Sequence, residues 1–265
     1  MHEQQRNHHR KTKGDVPLEI PSAFYTLVFD TYITSPPHLR TWSICQLIVQ
    51  QILEHLDPDH KGFAITIAEC VPPLAGQKVR SLRKTMGRGT GILRQYMERN
   101  TQFLGAESRI GQVVITGRAV VVQSAEQQAQ RFPGHTPPTV QSAATYPLIS
   151  ANQIAGCLGV FSTQPNYLTQ ERQDLIERYA ELLTVTFDPD EFYALDEIDL
   201  KIIPPCEKQL PFFADFQQLV AQKMVQASQS QALLTRAQAE QEVWQEIEEL
   251  LILLAYREAI EGAVK

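Results

Sequence analysis

The chain has 265 residues, 43% of them apolar and 20% charged, the proportions of a globular chain with a core of its own. Its 13 glycines and 16 prolines exclude a collagenous or low-complexity chain, and four cysteines without a C-x-x-C pair exclude a disulfide framework and a zinc ribbon. The net charge of −6 is unevenly spread: from Asp188 onward 15 acidic and 6 basic side chains give −9, leaving +3 for the remainder.

Residues 1–19 form a basic tail, with Arg6, Arg10, Lys11 and Lys13 among three histidines, and are expected to be disordered. The pattern turns apolar at Ile20 and breaks at Pro36-Pro37. Leu39, Trp42, Cys45, Ile48, Ile52 and Leu56 then recur at three- and four-residue steps, which predicts a helix over 39–56. Asp57-Pro58-Asp59 ends it as a turn, and 63–70 alternates as a strand closed by Pro72-Pro73. Residues 76–105 are basic and dotted with glycine. Their centre, 78–94, is expected to be a mobile surface loop, with helix over 92–100. Ile110 to Val114 fits a strand or a short helix, and 119–123 fits a strand. A polar stretch with Pro133-Gly134 and Pro137-Pro138 is a surface loop by composition.

A hairpin signature follows: 143–150, a turn at Ala151-Asn152, and 154–162. Thr169 is placed to cap a helix whose apolar face runs from Leu175 to Phe187. Beyond Asp188-Pro189-Asp190 two helical patterns remain, one over 212–226 and one from Leu233 to Leu254. The run from Leu250 to Tyr256 is apolar nearly all round and must be covered on every side. Either the helices at 39–56 and 175–187 cover it, or a second copy of the chain does.

Four segments together resemble the GAF domain family: Ile110-Gly-Gln-Val-Val-Ile-Thr-Gly-Arg-Ala-Val-Val-Val, Gln141-Ser-Ala-Ala-Thr-Tyr-Pro-Leu-Ile, Ile154-Ala-Gly-Cys-Leu-Gly-Val-Phe-Ser and Tyr167-Leu-Thr-Gln-Glu-Arg. The likeness is good in order and spacing from about 111 to 187. Upstream it rests on the helix-strand order, and it does not reach the last third. It implies an α+β fold, an antiparallel sheet flanked by helices, here with a helical C-terminal extension. The organisation that follows is a tail at 1–19, a GAF-like domain with a helical lead-in at 20–190, and an acidic helical extension at 191–265. Gly117 and Gly156 fall where a turn needs positive φ or where backbones approach closely. Pro147 within a strand implies an edge, a bulge or a position facing a ligand.

Members of that family bind small molecules or serve as dimerising scaffolds, and rarely catalyse. The cysteine-histidine pair of bilin carriers is missing here, as are the loop cysteines of methionine-sulfoxide reductases and the Asn-Lys-x-Phe-Asp-Glu set of cyclic-nucleotide binders. Cys70 and Cys157 read as small core residues. Met86-Gly-Arg-Gly-Thr-Gly-Ile sets Gly87, Gly89 and Gly91 beside Arg83, Lys84 and Arg88, a pattern that could cradle phosphate but lacks a P-loop's order. Glu54, His55, Asp57, Asp59 and His60 gather metal-type ligands, yet a helix end followed by an Asp-Pro turn explains them without metal. No catalytic nucleophile is nominated, no cofactor is implied and no enzyme is expected.

The resemblance places a ligand pocket between the sheet and residues 76–105, with Ser124, Thr145 and Tyr146 at its wall and Arg88 and Arg94 as basic contacts. The expected function is small-molecule sensing or regulation in signal transduction, through a homodimer or a signalling-protein partner. A ligand-free interaction scaffold is the alternative. Nucleic acid is not an expected partner, because the last third is acidic. No apolar run reaches the ~20 residues of a membrane span, and no apolar signal segment opens the chain. A cytoplasmic location follows as the expectation.

Overall fold

The computed structural model describes residues 18–98, 101–132, 139–230 and 232–263. The N-terminal tail to residue 17 and the loop prolines at 133, 137 and 138 lie outside them, as does the end of the expected helix at 99–100.

Two helices lead in, α1 (Ser22–Thr34) and α2 (Pro37–Leu56). The break at Pro36-Pro37 is placed by chemistry: Pro37 takes the first helical position, where a missing N–H costs nothing. The periodic face of α2 is buried through Ile44, Cys45, Ile48, Val49, Ile52 and Leu56. Asp57 then organises the turn, accepting from the backbone of Lys61 at 2.8 Å and Gly62 at 3.2 Å and from the Thr90 hydroxyl. Its carboxylate is fully used by the turn.

The sheet has six strands, all antiparallel, in the order β3-β2-β1-β6-β5-β4. They are β1 (Phe63–Cys70), β2 (Leu82–Gly89), β3 (Phe103–Leu104), β4 (Val120–Val122), β5 (Ser142–Ser150) and β6 (Gln153–Ser162). The β5–β6 turn holds Ala151 at φ 49° and Asn152 at φ 64°, the two positive values of the tight turn that suits strand twist. Pro147 lies two residues past the last β4 pair, Val120 with Thr145, on a stretch of β5 that β4 does not reach. A Cβ on Gly156 would sit 2.1 Å from the Ala68 carbonyl oxygen, so close strand approach requires glycine there. Gly117 ends α4 (Arg109–Thr116) at φ 63°, the left-handed closing position.

The strand β2 corrects the sequence reading of 78–94 as a loop. It is paired on both sides, to β1 and to β3. Its alternating glycines serve packing: a Cβ on Gly87 would lie 2.8 Å from the Met97 carbonyl oxygen, and one on Gly89 2.8 Å from that of Leu93. The chain after β2 folds back over them as a short turn, Gly91–Leu93, and α3 (Arg94–Glu98).

One face of the sheet packs against α1, α2 and α6 (Gln170–Thr184) through Phe63, Ile65, Ile67, Leu158 and Tyr179. Thr169 stands at the start of α6 but its hydroxyl makes no capping bond. The other face packs on α4 through Val113, Val114, Ala143 and Cys157. A small helix, α5 (Ala125–Arg131), follows β4.

Past residue 190 the chain stays on the domain, with bridges pairing Tyr193 to Ile154 and Ile198 to Val79. The extension proper then comprises α7 (Cys206–Phe213), α8 (Phe216–Gln229) and α9 (Arg236–Ala263). The single helix expected over 212–226 is therefore two, broken at Ala214-Asp215 just after Pro211 in the last turn of α7. Leu233 lies before α9 and is fully exposed. Neither α2 nor α6 covers Leu251. It is buried in a third cluster with Val71, Phe103, Ile203, Val220 and Val243, so the sheet edge and α8 cover it.

Candidate functional site

The basic run on and before β2 meets acids from the far end of the chain. Arg80 pairs with Glu248 at 2.8 Å and Glu249 at 2.5 Å, and the Ser81 hydroxyl donates to Glu248 at 2.6 Å. Glu248 and Ser81 are both buried, so this clamp holds α9 on the domain. Three residues on, the Arg83 guanidinium lies 4.7 Å over the ring of Trp244. Lys84 is buried and donates to the Met97 carbonyl at 2.8 Å; burial draws its ammonium down to about 8. At the other end of β2, Arg88 donates to Gln50 on α2 at 3.0 Å.

A cleft of about 240 Å3 opens at the first end of β2. Its domain wall carries Glu69, Arg83, Phe187, Glu191 and Tyr193, and α9 supplies Glu240 and Trp244. Glu69 and Arg83 are direct partners across β1 and β2. Glu69 accepts the Thr85 hydroxyl at 2.7 Å, and burial pushes its carboxyl upward. Burial does the same to Glu191, whose carboxylate accepts the Asp188 amide at 2.7 Å. Trp244 is fixed from behind by Phe216, stacked at 4.0 Å. Acids, one guanidinium and aromatic faces thus share a small space.

A wider cleft of about 640 Å3 lies at the second end. It brings Arg88 and Arg94 together with His60, Glu54 and the three glycines of the run. No P-loop arrangement results, because β2 continues as strand through Gly89.

The three wall residues expected of the pocket do not share a wall. Side chains alternate along β5, so Thr145 and Tyr146 point to opposite faces. Thr145 accepts from buried Arg109 at 2.9 Å, and Arg109 also donates to Gln128 at 2.5 Å and lies over Phe161 at 4.8 Å. Tyr146 belongs to the core under α6. Ser124 caps α5 by accepting from the Gln127 amide at 3.2 Å. Neither cleft of β2 is lined by any of the three.

Glu69, Glu191 and Trp244 escaped the sequence reading. One signal was present: Glu69 is the lone charge in an otherwise apolar strand, where a carboxylate needs a reason. The Glu54–His60 stretch makes a turn, and among the described residues no group of three His, Cys, Asp or Glu side chains could hold a metal. Cys45 and Cys70 are buried, with thiols pushed up to about 12, and burial also pushes the Cys157 thiol well above its ordinary value. Among the described residues no helix is long and apolar enough to cross a membrane.

Among solved structures, the chain is similar to the GAF domain of the Acinetobacter phosphoenolpyruvate-protein phosphotransferase, at 14% identity and a TM-score of 0.42, over 62% of this chain and 89% of that one. The GAF domain of the Coxiella burnetii phosphoenolpyruvate-protein phosphotransferase gives 13% identity and 0.45, over 62% and 90%. A type II free methionine-R-sulfoxide reductase from Thermoplasma acidophilum gives 12% and 0.44, over 63% and all of that chain. No curated protein matches the sequence. The family model for the GAF domain matches residues 43–188, more than half the chain, and those residues contain most of α2, the whole sheet and α6. By that match, and with the six-stranded antiparallel sheet in place, the chain belongs to the GAF domain family.

Proposed function

We propose that the protein is a cytoplasmic, small-molecule-sensing regulatory module whose output is carried by the docked C-terminal extension to a signalling-protein partner. The carrying observation is that the smaller cleft has one wall from the GAF domain and the other from α9. A ligand there touches both, so it biases the docking of α9 by whatever difference in affinity it has for the docked and released forms. The Arg80–Glu248–Ser81 clamp beside the cleft gives docking a polar component that geometry controls. A binding role rather than catalysis is supported by the thiols, whose burial keeps Cys45, Cys70 and Cys157 protonated and unreactive. Nucleic acid is no part of this reading, because Arg80 already faces acids of the extension.

Ala237 lines the cleft from the exposed side of α9 and offers the test. Replacing it with tryptophan should fill the cleft and change amide exchange along α9 while β5 and β6 keep theirs. Unchanged exchange in α9 would refute the coupling. A second reading, the ligand-free scaffold acting as a homodimer, is favoured by exposed Phe29, Ile33 and Trp42 on the lead-in helices and Leu253 and Tyr256 on α9. Light scattering that finds only monomer at tens of micromolar removes it.

A further inference from the structure

Opposite charges directly across two antiparallel strands normally close on each other. Glu69 and Arg83 are such a pair, and they do not: among the described residues neither forms an ion pair within 4.0 Å. Each is held by something else. Arg83 lies over the Trp244 ring at 4.7 Å, with no side-chain hydrogen bond among the described residues. Glu69 spends one oxygen on Thr85, which the irregular register between Ile67 and Ala68 leaves unmatched to any β1 residue, and the other oxygen has no hydrogen-bond partner among the described residues. A guanidinium fork and a carboxylate oxygen therefore face one small cleft, both half-buried and both without a hydrogen bond to another described residue, so a ligand of complementary charge can engage them.

We propose that this cleft binds a small zwitterion of amino-acid size, its carboxylate on Arg83 and its ammonium on Glu69. The guanidinium offers the planar two-pronged donor that a carboxylate fits. The ammonium gains Glu69 and the neighbouring Glu191, whereas Glu240 is already paired with Arg236 at 2.8 Å. Phe187, Tyr193 and Trp244 leave an apolar or aromatic environment for the ligand's side chain. At about 240 Å3 the cleft falls just under the usual ~300–1,000 Å3 of pockets for drug-sized molecules, which suits a ligand of amino-acid size. The site lies on the α2/α6 side of the sheet, away from Thr145 and Arg109. This inference rests on the regulatory reading above only for its consequence, not for its chemistry.

Trp244 reports on the cleft directly. The chain has two tryptophans, and Trp42 is exposed, so a Trp42→Phe background isolates the signal. The twenty L-amino acids are titrated at up to millimolar concentration by fluorescence, and the best binder is compared with its amine and its acid, each lacking the other charged group. At least one amino acid should saturate, both half-molecules should bind at least about tenfold more weakly, and Glu69→Gln and Arg83→Gln should each lose about tenfold or more. Thermal melting matching the parent confirms that the variants are folded; where one is not, the half-molecule comparison on the parent decides alone. The proposal fails if no amino acid saturates, if a half-molecule binds as well, or if both folded variants bind unchanged. Binding without any change in α9 exchange leaves the site standing and defeats the regulatory reading. A response of α9 to Ala237→Trp with no amino-acid binding does the reverse.

Discussion

The two ends of β2 carry the same basic residue types and meet opposite fates. At the Arg80–Arg83 end, the acidic extension supplies Glu248 and Glu249 to Arg80 and the ring of Trp244 to Arg83. At the Arg88–Arg94 end, no part of the extension lines the cleft, and among the described residues Arg88 holds a single hydrogen bond, to Gln50 of α2. Charge alone does not decide what an arginine does; the element that folds back over it does. The uneven charge along the chain, negative in the last third and positive before it, becomes a docking device at one end of a strand and a solvated surface at the other.

The comparison is broken most severely through the hydrophobic part of the docking. Leu251 is fully buried between α9 and the sheet edge, whereas Leu253, two residues along, is 45% exposed. Leu251→Ala should cost about 2–5 kcal/mol in urea unfolding, and Leu253→Ala less than about 0.5 kcal/mol. Equal losses would mean that α9 does not sit on the domain as described.

The polar clamp comes next. Glu248→Ala leaves the Arg80 guanidinium with Glu249 alone and the buried Ser81 hydroxyl without its acceptor, and should cost about 3 kcal/mol. Urea unfolding followed by Trp244 fluorescence and by far-ultraviolet dichroism should show that the loss falls first on the extension.

Lys84, between the two ends, should make stability depend on alkaline pH. Its folded-state ammonium titrates at about 8, below the ordinary 10.5, so the unfolded chain holds more protons between those values. Stability from this group therefore rises as pH climbs from about 8 to 10.5, by up to about 3 kcal/mol, and its burial penalty is complete below 8. Buried Tyr146 and Tyr179, whose phenols burial raises, oppose this only above about pH 10, where the unfolded phenols ionise. The difference between parent and Lys84→Met isolates the lysine, and a flat difference from pH 7 to 10.5 would contradict the assignment.

The smallest effect belongs to the open end. Arg88→Ala removes one exposed hydrogen bond and should shift stability by no more than about 0.5 kcal/mol. A loss comparable to that of Glu248→Ala would erase the distinction between the two ends.

Much of the fold was legible locally. The periodic apolar face of 39–56, the strand at 63–70 and the hairpin around Ala151-Asn152 each match an element within a residue or two. Gly117 and Gly156 do what glycine is chosen for. The strand β2 was not legible, because half its residues are glycine or charged and its reasons for being a strand are its partners on both sides. The clefts were illegible for the same cause. Arg88 and Arg94 were recognised as basic neighbours, but Glu69 meets Arg83 only once the two strands pair, and Trp244 reaches them across more than 150 residues of chain.

Thr145 and Tyr146 show the limit most plainly. Their residue types suited a pocket wall, yet the strand's two-residue period sends them to opposite faces, one to Arg109 and one to the core. Local pattern, turn chemistry and the motif order thus settled the family, the helices and most strands, since those depend on neighbours within a few residues. Tertiary structure alone decided which face each polar group joined, what covered Leu251 and which charges were left unpaired. Those outcomes depend on contacts between distant segments, whose free energy no single segment contains.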